Sequence, residues 1–254
     1  MSFKKHFLAK VLCAFLLGSQ AQASALQYAM PDFYLGKAVR GILKVASEVG
    51  YHQYDVLDAP TQYAKAQSAL DNIYRYPAFK YTYNKATILI IRGVEGEPNG
   101  FSFGSYMFLT KSIVDLLTTE QLTAVIAHEL AHSEKAHNLQ KTPLPLEATA
   151  YQMKTIYDAV KEGRWPKGKE LVTSIQEIIQ TSGLALEIQA DCIAAQQLEH
   201  MKSQGLSNRA TDLISASNAV AGVDLTKDNS EDPAAVRVRI LMSQGYLQGS
   251  CDIF

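Results

Sequence analysis

Hydrophobic positions recur at helical spacing in two early stretches, "LGKAVRGILKVASEV" (35–49) and "TQYAKAQSALDNIY" (61–74), with a Tyr-rich, Pro-containing connection between them. Apolar residues three and four apart share one side of a helix, so both stretches are predicted to be amphipathic helices. The period then changes. "KATILIIRG" (85–93) and "GFSFGSYMFLT" (100–110) are short β-branched or aromatic runs flanking "VEGEPN", which predicts two strands of a small sheet joined by a turn. Thr118 opens "TTEQ", a capping-box pattern in which its hydroxyl accepts from the backbone at Gln121 and the Gln121 side chain reaches back. A helix should therefore start near 119 and run to about Asn138, where "KTPLPL" ends it because proline lacks the helical N–H. Further helices are predicted near 147–161, from 169 to 203 ending near Gly205, near 207–221 and near 233–244. No internal repeat or low-complexity tract interrupts this order. The pattern predicts a mainly α fold with a small β-sheet, an α+β class.

Composition narrows the picture. The 254 residues are 47% apolar and 19% charged with a formal net charge of −1, which is ordinary globular usage and argues against disorder. No Lys/Arg cluster interleaves with aromatic residues, so nucleic acid is not an expected partner. The N-terminus is different: "MSFKKHFLAK" is basic, "VLCAFLLG" is a short apolar run, and "SQAQA" follows with small residues at Ala21 and Ala23. That is the form of a secretory signal peptide over 1–23, cleaved after about Ala23, with an uncleaved anchor as the alternative. Loss of Lys4, Lys5 and Lys10 would reduce the basic residues from 24 to 21 against 25 acidic ones, a net charge of −4. No later run is apolar and long enough to suggest a transmembrane segment. In an oxidising compartment the two cysteines left, Cys192 and Cys251, either form a disulfide or stay as buried thiols.

The chemistry is concentrated in "AVIAHELAHSEKAHN" (124–138). His128 and His132, four apart, share one face of a helix and can present two ring nitrogens to a single ion. Zinc takes imidazole nitrogen at about 2.0–2.1 Å, and a catalytic zinc has three protein ligands and a water. Glu129 follows the first histidine and is placed to take a proton from that water. A core helix with satisfied histidines is the plain alternative, but these groups on so apolar a stretch are costly to bury unpaired. The metal reading requires a third ligand from another helix. "LALEIQADCIAA" offers Glu187 and Asp191, again four apart on an apolar helix. Glu187 would complete a His2Glu set holding one zinc per chain, and Asp191 would accept the outer N–H of a ligand histidine. Their alternative is a solvated helix face, which the apolar flanks make uncomfortable.

"EQLTAVIAHELAHSEKAH" followed some 50 residues later by "EIQAD" resembles the HtpX-type gluzincin metallopeptidases, the family that includes the CAAX-prenyl endopeptidases and the soluble periplasmic BepA-like and LoiP-like proteases. The resemblance implies a zincin-like domain with His128, His132 and Glu187 as zinc ligands, Glu129 as the catalytic carboxylate and Asp191 beside the ligands. "NGFSFGSYMFLTKSIVDLL" is similar to the family's strand and following helix, Asn99 matching and Gly100 departing. That strand, marked by Asn99, Phe101 and Phe103, would border the cleft and pair with an extended peptide. Downstream, "DPAAVRVRIL" has Asp232 where many members have His, with Arg237 or Arg239 as the family's arginine. Arg239 is the candidate for stabilising the transition state, and a salt bridge holding the C-terminal helix is its alternative.

His137 lies nine residues after His128, and at about 100° per residue it faces the opposite side of a straight helix, which leaves it a supporting role. "EGRWPKGKE" (162–170), with Trp165, is the expected lid element between the two ligand helices, and the segment 141–168 is where motion that gates access is expected. The expected organisation is a signal peptide (1–23) and a single metallopeptidase domain (24–254), comprising an N-terminal helical part (24–84), a catalytic core (85–245) and a tail (246–254). The expected activity is that of a periplasmic zinc endopeptidase acting on unfolded or extended polypeptides, and the resemblance suggests misfolded or unassembled envelope or outer-membrane proteins. The alternative from another class is a non-catalytic or latent holdase or assembly factor with a structural or closed metal site.

Overall fold

Pro60 opens α1 (Pro60–Arg75) in the computed structural model, which describes Ser47, Gly50 and residues 52–81, 86–94, 96–103, 105–135, 137, 184–228 and 230–243. The signal segment, most of the helix expected at 35–49, the helix expected at 147–161, the segment 141–168 with Trp165, and the tail lie outside the described residues. The chain parts into two compact units, Met1–Ile42 with Ala136–Ser182, and Leu43–Lys135 with Gly183–Phe254. Of the first only His137 is described, and it is buried. The second unit holds every element below.

Proline suits the first helical position because its missing N–H has no intrahelical partner there. The buried face of α1 is Ala66, Ala69, Leu70 and Ile73, the spacing its sequence predicted. Lys65 reaches across from α1 to the carbonyls of Val114 (2.8 Å) and Leu117 (2.5 Å) at the end of α2 (Lys111–Leu116).

The sheet has three strands where two were expected. They are β1 (Thr87–Ile91), β2 (Gly100–Phe103) and β3 (Tyr106–Thr110), in the order β1-β3-β2. β3 runs parallel to β1 and antiparallel to β2, so "VEGEPN" does not close a hairpin. The hairpin forms instead inside 100–110, around the turn at Ser105, where the loop to be closed is shortest. β1 and β3 are equally buried, four consecutive residues in each, and the edge strand β1 gains a further bridge between Val56 and Ile91. β2 takes the other edge, with Ser102 buried. Gly93 follows β1 with φ +76, and a Cβ there would stand 2.6 Å from Thr110 Cγ2, so only glycine fits where the chain passes the start of α2.

The helix α3 (Thr119–Glu134) starts where the capping box placed it: Thr118 Oγ1 accepts from Gln121 N at 3.2 Å, and Gln121 Oε1 accepts from Thr118 N at 2.9 Å. It ends at Lys135, sooner than the expected Asn138. Packed beside it is α4 (Leu184–Ser203), whose Ala190, Ala194 and Ala195 are fully buried. Small residues let two helices approach closely, and this approach is what brings their polar side chains together. Gln197 of α4 is buried in three hydrogen bonds, accepting from Ala78 N and the Tyr81 hydroxyl and donating to the Tyr76 carbonyl. Finally, α5 (Thr211–Ala221) and α6 (Pro233–Met242) close over this layer, with Asp232 capping α6 by accepting from Ala234 N and Ala235 N.

Candidate metal centre

His128 and His132 sit one turn apart on α3, where apolar neighbours on both sides force the helix into the core and bury both rings. Their Nε2 atoms are 3.0 Å apart. Glu187, from the first turn of α4, places Oε2 at 3.2 Å from His128 Nε2 and Oε1 at 3.3 Å from His132 Nε2. Ligands about 2.0–2.2 Å from one tetrahedral ion stand roughly 3.3–3.6 Å from each other. The three donors therefore already form one slightly contracted face of such a tetrahedron, and His128, His132 and Glu187 can hold a metal ion together.

The chemistry of the donors supports that fit. Asp191 Oδ1 lies 2.8 Å from His128 Nδ1, a hydrogen-bond separation, although the N–H direction is off line and Nδ1 has no well-aligned acceptor among the described residues. A negative charge so close holds the ring proton on Nδ1 and turns the Nε2 lone pair toward Glu187. Facing lone pairs at these distances need positive charge between them. Burial disfavours an imidazolium at His128, but Asp191 and Glu187 outweigh it and push the pKa up to about 9. Burial likewise opposes ionisation of Glu187, yet the two imidazoles hold its carboxyl far below the usual range. A dication between the same atoms would likewise keep Glu187 ionised, and it would replace the imidazole proton as the positive charge between the donors.

Arg237, on α6, completes the group. Its Nε and Nη2 donate to Asp191 Oδ2 and Oδ1 at 2.7 and 2.8 Å, and its Nη1 is 3.2 Å from Glu187 Oε2. Although burial favours the neutral acid, this guanidinium and then His128 hold the Asp191 pKa down to about 2. Glu129 is buried on the same turn of α3 and near enough to Arg237 to stabilise its charge. The Glu129 carbonyl accepts from Ser102 Oγ at 2.8 Å, which ties β2 to α3 at Glu129.

The remaining sequence candidates are distributed as follows. Asn99 pairs with Thr110, donating to its Oγ1 and accepting from its N–H, both at 2.9 Å, and so leads into β2. The Phe101 ring stacks on Phe108 at 4.7 Å between centroids, and Phe103 is the last residue of β2. Arg239 stands apart from the centre: its Nη1 donates to the Asp228 carbonyl at 2.7 Å, so it holds the turn before α6. Of the two arginines, Arg237 is the one at the ligands. Cys192 is disulfide-bonded, and its expected partner Cys251 lies outside the described residues.

Two imidazoles and a carboxylate on facing helices, with a glutamate beside the first imidazole, define a gluzincin-type metallopeptidase centre. The chain belongs to peptidase family M48, whose family model matches residues 78–227, more than half of the sequence. The match includes all three donors, Glu129 and Asp191, and it identifies the chain as a zinc metallopeptidase. No curated protein matches the chain.

Proposed function

We propose that this metallopeptidase is an endopeptidase in which Glu129 moves the proton, acting on unfolded or unassembled envelope proteins in the periplasm. The observation that carries the reading is the position of Glu129: buried, and next in the chain to His128, whose ring converges with His132 and Glu187. Zinc held by those three residues would supply Lewis acidity, bringing the pKa of water down to about 7 and polarising a carbonyl. Glu129 accepts the water proton as the nucleophile forms and delivers it to the leaving amine. Asp191 keeps the His128 ring in the tautomer that ligation needs. The substrate strand of this proposal is β2, with Asn99, Phe101 and Phe103, held beside Glu129 by Ser102.

Two histidines, one glutamate ligand and a glutamate next to the first histidine are the set that a catalytic zinc uses, which supports catalysis over a closed holdase site. The signal-like N-terminus and the disulfide at Cys192 support an oxidising compartment. Among the described residues no helix is long and apolar enough to cross a membrane. The test is cleavage of a reduced, unfolded protein by wild type and by Glu129→Gln, with zinc content measured on both. The variant should keep its zinc and lose cleavage by about 100-fold or more, as loss of a general base does. Cleavage that survives both the substitution and a chelator would remove Glu129 and the metal from the reaction.

A further inference from the structure

We infer that Arg237 is a positioning residue of the metal centre, its guanidinium clamping Asp191 with two nitrogens and Glu187 with the third so that both carboxylates stay in register with the histidines. The inference rests on the metallopeptidase reading and concerns a residue beyond 78–227, the part that the family model matches.

The geometry is specific to arginine. Asp191 and Glu187 are one turn apart on α4, and the planar fork spans that turn, with 2.7 and 2.8 Å bonds to one carboxylate and a 3.2 Å contact to the other. A lysine offers a point charge and cannot bond both oxygens of Asp191 while also reaching Glu187. The terminal torsion of a glutamate is broad, so the rotamer alone does not set the plane of the Glu187 carboxylate. Arg237 sets it by holding Oε2, the oxygen 3.2 Å from His128, while Oε1 faces His132 at 3.3 Å. The same guanidinium places one positive charge among Glu129, Glu187 and Asp191, which would be costly to bury without it.

The experiment is a zinc titration against a competing chromophoric chelator, with the Co(II) absorption spectrum as a second readout of coordination. The proteins are wild type, Arg237→Gln, Arg237→Lys and, as control, Arg239→Gln. Arg237→Gln should bind zinc about 10–100-fold more weakly and change the Co(II) spectrum, with Arg237→Lys between it and wild type. Arg239→Gln, which removes the bond to the Asp228 carbonyl and a charge near the Asp228 carboxylate, should stay within about twofold of wild type. A folded Arg237→Gln that binds like wild type overturns the inference. If that variant does not fold, Arg237→Lys decides: wild-type affinity and spectrum overturn the inference, and weakened affinity with an altered spectrum supports it. Failure of wild type itself to bind zinc is a separate result, and it would overturn the metallopeptidase reading together with this inference.

Discussion

Glu187 and Asp191 are the same kind of group one turn apart, and their surroundings give them different tasks. Glu187 ends between two imidazole nitrogens, while Asp191 ends between the back of one imidazole and a guanidinium. Their spacing was legible in the sequence because a helix puts residues four apart on one face whatever surrounds it. Which arginine meets them was not. Tyr74 provides a prediction at this scale. It accepts from Ala86 N at 2.9 Å and packs edge-on against Tyr81, and burial pushes its pKa from 10.0 up to about 12. The folded state thus keeps the phenol neutral at a pH where the unfolded chain ionises. Stability from this source is complete below pH 10 and is lost as pH rises through about 12, at most roughly 2–3 kcal/mol in all. Urea unfolding of Tyr74→Phe should show a less stable protein at pH 8, by about 1 kcal/mol for the lost hydrogen bond. Between pH 9 and pH 11.5 the variant should lose less than wild type, and an equal loss in both would exclude Tyr74 as the source.

Elements were legible where a local signal set them. The capping box at Thr118 depends on residues three apart, so it could be read before any tertiary contact was known, and the structure contains both of its bonds. Replacing Thr118 by Ala should cost about 1 kcal/mol. For a chain of this size that lowers Tm by roughly 2–4 °C, measured by thermal unfolding, whereas an unchanged Tm would mean that the cap contributes nothing. The sheet was harder. A period of two identifies strands but not their neighbours, so the break inside 100–110 and the central place of β3 emerged only from the pairing of the folded sheet. The arginines of α6 show the same limit. The buried row Ala235, Val238 and Leu241 is centred on Val238, and at about 100° per residue Arg237 and Arg239 flank it at equal angles on opposite sides. Periodicity cannot choose between them; packing of α6 on α4 can, because it turns the Arg237 flank toward Asp191.

At the scale of the whole molecule, the centre joins elements far apart in the chain, and the metal should therefore act on folding. A ligand that binds only the folded state stabilises it by mass action, about 2.7 kcal/mol at a free concentration 100 times its Kd. Thermal unfolding of wild type should shift upward as zinc is added, and His132→Ala should show little shift. An equal rise in both would place the bound zinc somewhere other than these residues. The sequence alone determined the helix carrying His128, Glu129 and His132, the second helix carrying Glu187 and Asp191, and the presence of strand-forming runs between residues 85 and 110. Those features depend on spacings of a few residues, which backbone geometry converts directly into shared faces. The strand order, the meeting of the two helices across their alanines, and the choice of Arg237 over Arg239 were decided only by tertiary structure. Each depends on which surfaces are buried against each other, a long-range outcome of packing that no local pattern encodes.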